Sequence, residues 1–307
     1  MPEIQYKVVD VFSKKPLHGN PVAVFNLFNT PPDQIPNDAT LGKIASWLNL
    51  SETTFILPAS DNCVADYKLR IFTPTSELPF AGHPTLGSAY AAIEYGIVDL
   101  TSQPDKTHIV QECGVGLIDI SLEMNKLGSV ASLKLTMPIP EITDLTEQEA
   151  QTLADALKVS RDKVVSTPAV VNVGISWTIV QLDSVDTLLS LNPDMAAIVA
   201  IDREVTAYAN YKSGEKAGVD VEVRTFVPTD NVNEDPVCGS GNGSVGIYKR
   251  IRGDNFDPHA TDKASYVSNQ GQCLGRQGVI QLGFNQTKDR VTVGGKCVTT
   301  VNGTLSV

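Results

Sequence analysis

Apolar and polar positions along the chain fall into a strand rhythm that occurs twice. Lys7-Val-Val-Asp-Val-Phe12 and Asn20-Pro-Val-Ala-Val-Phe25 are short apolar runs around a glycine-containing turn, which predicts two adjacent strands. In the second half, Ala169-Val-Val-Asn-Val173 and Trp177-Thr-Ile-Val-Gln181 take the matching place around Gly174. Alternation predicts further strands over 65–72, 116–122, 132–137, 220–227 and 279–284. Helical spacing after short linkers predicts helices over 38–48 and 147–158.

The rhythm is doubled because the sequence is. Leu69-Arg-Ile-Phe-Thr-Pro74 returns as Val223-Arg-Thr-Phe-Val-Pro228, and the two are followed by Glu77-Leu-Pro-Phe-Ala-Gly82 and Glu234-Asp-Pro-Val-Cys-Gly239. Each copy then enters a helix, predicted over 83–96 and 240–251. The first of these carries a single charge, Glu94, among small and apolar residues, the composition of a buried helix that approaches its strands closely. The seam between the halves is placed at 125–131.

Composition narrows the class. A chain of 307 residues with 42% hydrophobic and 19% charged residues is folded rather than disordered and long enough for two domains. With 24 Lys and Arg against 35 Asp and Glu the net charge is −11, which argues against nucleic acid and against anionic membranes as partners. No apolar run is long enough to span a membrane, and the start of the chain lacks a signal-peptide core. Cys63, Cys113, Cys238, Cys273 and Cys297 form neither a CxxC pair nor a zinc pattern, so no metal is expected. Free thiols in a reducing cytoplasm are expected instead.

Both repeated turns place a glycine, Gly82 or Gly239, where a helix begins. Unpaired N–H groups and the helix dipole make such ends receptive to anions, and two of them facing each other would cage a carboxylate. The same turns also serve simply to join strand to helix. The chemistry grafted on them differs: His83 on the first, Asp235, Cys238 and Ser240 on the second. A proton shift beside a carbonyl needs groups that take and return a proton, and these side chains supply such groups. Each also has a structural reading, as a satisfied histidine, a turn former or a packed thiol. Glu52, in the strand-like run Leu50-Ser-Glu-Thr-Thr-Phe-Ile-Leu57, is a carboxylate that asks for a partner or a task. Gly241-Asn-Gly-Ser-Val-Gly246 matches the dinucleotide fingerprint, but the run 252–259 after the helix reads as a loop rather than the acidic-ended strand that fold requires. No nicotinamide or flavin is expected.

Asp10-Val-Phe12, Gly19-Asn-Pro-Val-Ala-Val24, Ser51-Glu-Thr-Thr-Phe55, the two repeated segments with His83-Pro-Thr85 and Ser240, and Gly275-Arg-Gln-Gly278 occur in one order over nearly the whole chain. Together they resemble the phenazine-biosynthesis isomerase (PhzF-like) family of the diaminopimelate epimerase-like superfamily. The resemblance implies an α+β fold of two pseudo-symmetric domains, each a curved, barrel-like mixed β-sheet wrapped around a central helix. It implies domains over 1–128 and 129–299, with 300–307 returning to the first, and an active site in the cleft between them. It further implies a homodimeric, cofactor-independent isomerase acting on a small carboxylate-bearing metabolite. By position, Glu52 resembles the acid/base, with His83 and Asp235 flanking it. Gly82, Gly239 and Ser240 match the substrate cage, with Cys238 beside them. Related epimerases use two facing thiols, whereas Cys238 here aligns with Ala81. This leaves two alternatives, an epimerase pairing Cys238 with Glu52 or His83, and a metabolite-binding protein without turnover.

Overall fold

The computed structural model describes residues 3–60, 64–125, 128, 130–230, 232–253, 265–285 and 290–307. Cys63 and the 254–259 part of the run after the second repeated helix lie outside them, as do three positions of the seam. The chain divides into two compact units, Met1–Leu135 with Gly294–Val307, and Thr136–Val293. The first therefore runs past residue 128, and the returning segment begins before residue 300.

In the first unit the elements follow as β1 (Glu3–Val11), β2 (Asn20–Asn26), α1 (Asp38–Leu48), β3 (Thr53–Leu57), β4 (Tyr67–Phe72), β5 (Glu77–Leu78), α2 (Gly82–Glu94), β6 (His108–Cys113), β7 (Gly116–Met124) and β8 (Val130–Thr136). Pairing is antiparallel for β1–β2, parallel for β2–β3, antiparallel for β3–β4 and β4–β5, parallel for β4–β6, and antiparallel for β6–β7 and β7–β8. The pairing of Ile120 with Leu135 is what keeps the chain through Leu135 with the first unit.

The second unit holds β9 (Glu141–Asp144), α3 (Glu147–Leu157), β10 (Ala169–Asn172), β11 (Ser176–Gln181), α4 (Val185–Ser190), α5 (Met195–Ala200), β12 (Val205–Asn210), β13 (Val221–Val227), β14 (Val232–Asp235), α6 (Gly239–Ile251), β15 (Ser265–Gln270), β16 (Gly278–Asn285) and β17 (Arg290–Gly295). The last strand, β18 (Cys297–Ser306), pairs antiparallel along all of β1. Its counterpart is β9 on β10, and from there the two units repeat the same sequence of pairings: antiparallel β10–β11, parallel β11–β12, antiparallel β12–β13, parallel β13–β15 and antiparallel β15–β16.

Local chemistry sets the outer helices. Asn37 caps α1, its side chain accepting from the Thr40 N–H, and Asn49 ends it in the left-handed conformation. Thr146 and Glu149 form a capping box on α3. The central helices obey packing instead. In α2, residues His83 to Ala89 are all buried, and the helix lies against β1, β2, β3, β4 and β18. A Cβ at Gly87 would stand 2.4 Å from Val22 Cγ1. In α6, which lies on β10, β11, β12 and β16, a Cβ at Gly241 would stand 2.7 Å from Thr206 Oγ1 and one at Gly243 2.7 Å from Met137. The glycine string 241–246 is thus a contact surface between helix and sheet rather than a phosphate loop.

Strands β5, β6, β9, β12, β14, β15 and β17 and helices α4 and α5 have no counterpart in the sequence-based expectations. The reason for β12 is plain: Val205 to Ala209 are all buried, so neither face is polar and no alternation marks it.

Candidate active site

The first cluster assembles where β2, β3 and α2 meet. Parallel pairing of Ala23 with Thr53 sets Glu52, the residue just before β3, beside the start of β2. His83 is the second residue of α2, and its ring is buried against that end of the sheet. Glu52 Oε2 and His83 Nε2 stand 3.3 Å apart, and neither atom makes a hydrogen bond. Burial holds its imidazole below the usual histidine range, against the opposing pull of the Glu52 charge. The helix is tied to the sheet behind this pair by Thr54 and Ser88, hydroxyl to hydroxyl at 2.8 Å, and by Gln111, which donates to Thr85 Oγ1 at 3.1 Å.

The start of α2 has no side-chain cap, its third position is Pro84, which carries no N–H, and Thr85 N–H already serves the Ala81 carbonyl. The donors left are those of Gly82 and His83. A Cβ on Gly82 would meet nothing within 4 Å, so the backbone there borders open space.

The second cluster is built the same way on α6. Cys238 is its N-cap, with Sγ accepting from the Gly241 N–H at 3.3 Å, while the Asn242 N–H serves the Cys238 carbonyl. The donors that remain belong to Gly239 and Ser240. Proline in one turn and a thiol in the other therefore leave the same two positions open. Asp235 Oδ1 accepts from the Val237 N–H at 2.8 Å, an Asx turn that folds the Asp-Pro-Val corner. Ser240 Oγ lies 3.6 Å from the Cys238 sulfur.

Two further residues build this turn and a third builds its counterpart in the first copy, and none was singled out from the sequence. Gln270, at the end of β15, donates to the Asp235 carbonyl at 2.8 Å and accepts from Cys238 N–H at 3.1 Å and Asn242 Nδ2 at 2.7 Å. Gly271, at φ 99°, lies where a Cβ would come within 2.4 Å of the Pro236 carbonyl oxygen. Gly114 packs on Pro79 in the same manner in the first copy, with a Cβ at 2.7 Å from Pro79 Cα. The signal in the sequence was a glycine following the last strand before each hairpin, too sparse to read alone. Gly278, from the late motif, packs against Val237.

The repeated arginines also gain a place. Arg70 makes a two-pronged bond to Glu77 with both contacts at 2.7 Å, and Arg224 does so to Glu234 at 2.9 and 2.8 Å. Each pair fastens the strand leading into its helix turn onto the long strand before it. Among the described residues no group of three or more His, Cys, Asp or Glu side chains gathers to hold a metal, and no helix is long and apolar enough to cross a membrane.

The chain is 35% identical over 309 residues, 99% of each chain, to antisense-enhancing sequence 1 of Schizosaccharomyces pombe. It is 35% identical over 246 residues, 80% of this chain and 79% of the relative, to the trans-2,3-dihydro-3-hydroxyanthranilate isomerase of Pseudomonas aeruginosa. The crystal structure of a PhzF-family phenazine biosynthesis protein from Bacillus anthracis superposes with a TM-score of 0.81 at 21% identity, covering 100% of both chains. A hydroxyproline epimerase from Agrobacterium vitis shares the fold with a TM-score of 0.61 at 17% identity, covering 99% of this chain and 92% of its own. The phenazine biosynthesis-like protein family matches residues 9–303, and with these relatives it places the chain among the PhzF-like isomerases of diaminopimelate epimerase-like α+β fold.

Proposed function

We propose that the protein moves a proton between two carbons of a small carboxylate-bearing metabolite without a cofactor, with Glu52 as the acid/base. The observation that carries this reading is the buried pair Glu52 Oε2 and His83 Nε2, 3.3 Å apart and free of hydrogen bonds. Buried polar atoms are nearly always satisfied, and an orphaned acid beside an orphaned imidazole is the condition of groups kept ready for a ligand.

The carboxylate lifts a proton from carbon while the C–H electron pair enters the substrate's conjugated system, and the same group then delivers the proton to another carbon. His83 steadies Glu52 through both states. The open N–H groups at each turn, those of Gly82 on the first and of Gly239 and Ser240 on the second, are suited to a substrate carboxylate, and Asp235 to a polar substituent. The Pseudomonas relative supplies the first compound to test, trans-2,3-dihydro-3-hydroxyanthranilate. Action in the cytoplasm as a homodimer belongs to the same reading.

Incubation with that compound in deuterium oxide is expected to give isomerised product carrying solvent deuterium. Glu52→Gln is expected to slow uptake by roughly 10²- to 10⁴-fold, the usual worth of a positioned acid/base. Full exchange by that variant would sink the assignment. The reading without turnover has one observation in its favour, since the relative aligned over the whole chain is named for antisense enhancement and not for a reaction. Tight binding of the compound with no conversion would establish it instead.

A further inference from the structure

The turn that leads into α6 is closed by a side chain and not by its own backbone. In a hydrogen-bonded β-turn over 235–238 the Asp235 carbonyl would accept from the Cys238 N–H. Here the Gln270 amide stands between these two groups. Its Nε2 donates to the Asp235 carbonyl at 2.8 Å, and its Oε1 accepts from the Cys238 N–H at 3.1 Å. A carbonyl only accepts and an N–H only donates, so the two partners fix which way round the amide lies. Oε1 also accepts from Asn242 Nδ2 at 2.7 Å, and Asn242 Oδ1 accepts from the Ser268 hydroxyl. Gln270, Asn242 and Ser268 are fully buried.

The first copy has no such insertion. Aligned on Gly82 with Gly239 and on Gly114 with Gly271, Thr85 and Gln111 match Asn242 and Ser268. Each copy keeps one hydrogen bond between central helix and strand, with the long amide and the short hydroxyl exchanged. The position that matches Gln270 is Cys113, a buried thiol, which cannot bridge a carbonyl and an N–H as an amide does.

We propose that Gln270 is a positioning residue of the second turn: its amide, inserted where the turn would close on itself, sets the spacing between Asp235 and the Gly239 and Ser240 N–H groups. This rests on the proposed function and adds what keeps that part of the binding surface in shape. Asp235 and the two N–H groups bind the substrate without making or breaking its bonds, so loss of the spacer falls on KM and not on kcat.

Gln270→Met fills the space without an amide. With trans-2,3-dihydro-3-hydroxyanthranilate it is expected to raise KM roughly tenfold, the worth of about one hydrogen bond, and to change kcat by less than about threefold. Ser268→Ala, which loosens Asn242 without touching the turn, is expected to lower the denaturation midpoint and to leave KM as it is. An unchanged KM in Gln270→Met, or an equal rise in both variants, would overturn the proposal. Amide hydrogen exchange of the protein without substrate reads the same claim and needs no turnover. Gln270→Met is expected to speed exchange at Val237, whose N–H is held by Asp235 Oδ1, about tenfold more than along the later turns of α6. Acceleration spread evenly over the turn and α6 is what a merely structural amide gives, and it would overturn the proposal. Gln270→Glu keeps the acceptor facing Cys238 and Asn242 and serves both measurements if the methionine variant does not fold. The Glu52 assignment is decided by Glu52→Gln alone, so the two failures are distinguishable.

Discussion

Cys238 shows how one side chain can satisfy structure where sequence suggests chemistry. Its sulfur accepts from the Gly241 N–H and closes the first turn of α6, the office of an N-cap. A hydroxyl does this at least as well as a thiol. Cys238→Ser is therefore expected to change stability by less than about 1 kcal/mol and to keep deuterium uptake, whereas Cys238→Ala loses the cap at about 1 kcal/mol. Chemical denaturation and the exchange assay read the two effects separately, and loss of exchange in the serine variant would favour the single-thiol epimerase. Glu52, His83 and Asp235 were legible in the sequence because their residue types announce chemistry. Gln270 was not, since a neutral amide acquires its task only from the strand register that brings it to the turn.

At the scale of elements, the repeated Arg–Glu pairs are alike in geometry and unlike in setting. Arg224 and Glu234 have side chains 8% and 9% exposed, and Arg224 also donates to the Leu188 and Leu191 carbonyls at the end of α4. Arg70 and Glu77 are 23% and 41% exposed, with Asp38 as a second carboxylate. Removing one charge from a buried pair strands the other and costs about 3–5 kcal/mol, while an exposed pair is worth about 0–1 kcal/mol. Glu234→Gln is thus expected to lower the denaturation midpoint markedly and Glu77→Gln barely, although both sit in the same motif. The repeat itself, the buried character of α2 and the helix limits at α1 were readable from pattern. The difference between the two arginines was not, because burial of the second comes from α4, an element its own short sequence did not mark.

For the whole molecule, the two copies repeat one order of strand pairing but are threaded differently. The second unit is a continuous stretch of chain, while the first is interrupted by it and recovers β18 only afterwards. Contacts so distant in sequence form slowly, because the intervening loop must close before they give any return. Pulse-labelled hydrogen exchange during refolding is expected to show the β1 amides that face β18 gaining protection after those of β10 to β13. Simultaneous protection would mean that the units fold as one.

That threading has a consequence during synthesis. The strand that covers β1 leaves the ribosome only after every element of the second unit. Until then β1 offers a row of unpaired backbone groups, a ready template for another strand. A prematurely terminated chain that still carries Glu52 and His83 would therefore be a chain prone to aggregate, and the half that holds the acid/base pair is the half most exposed to errors of translation.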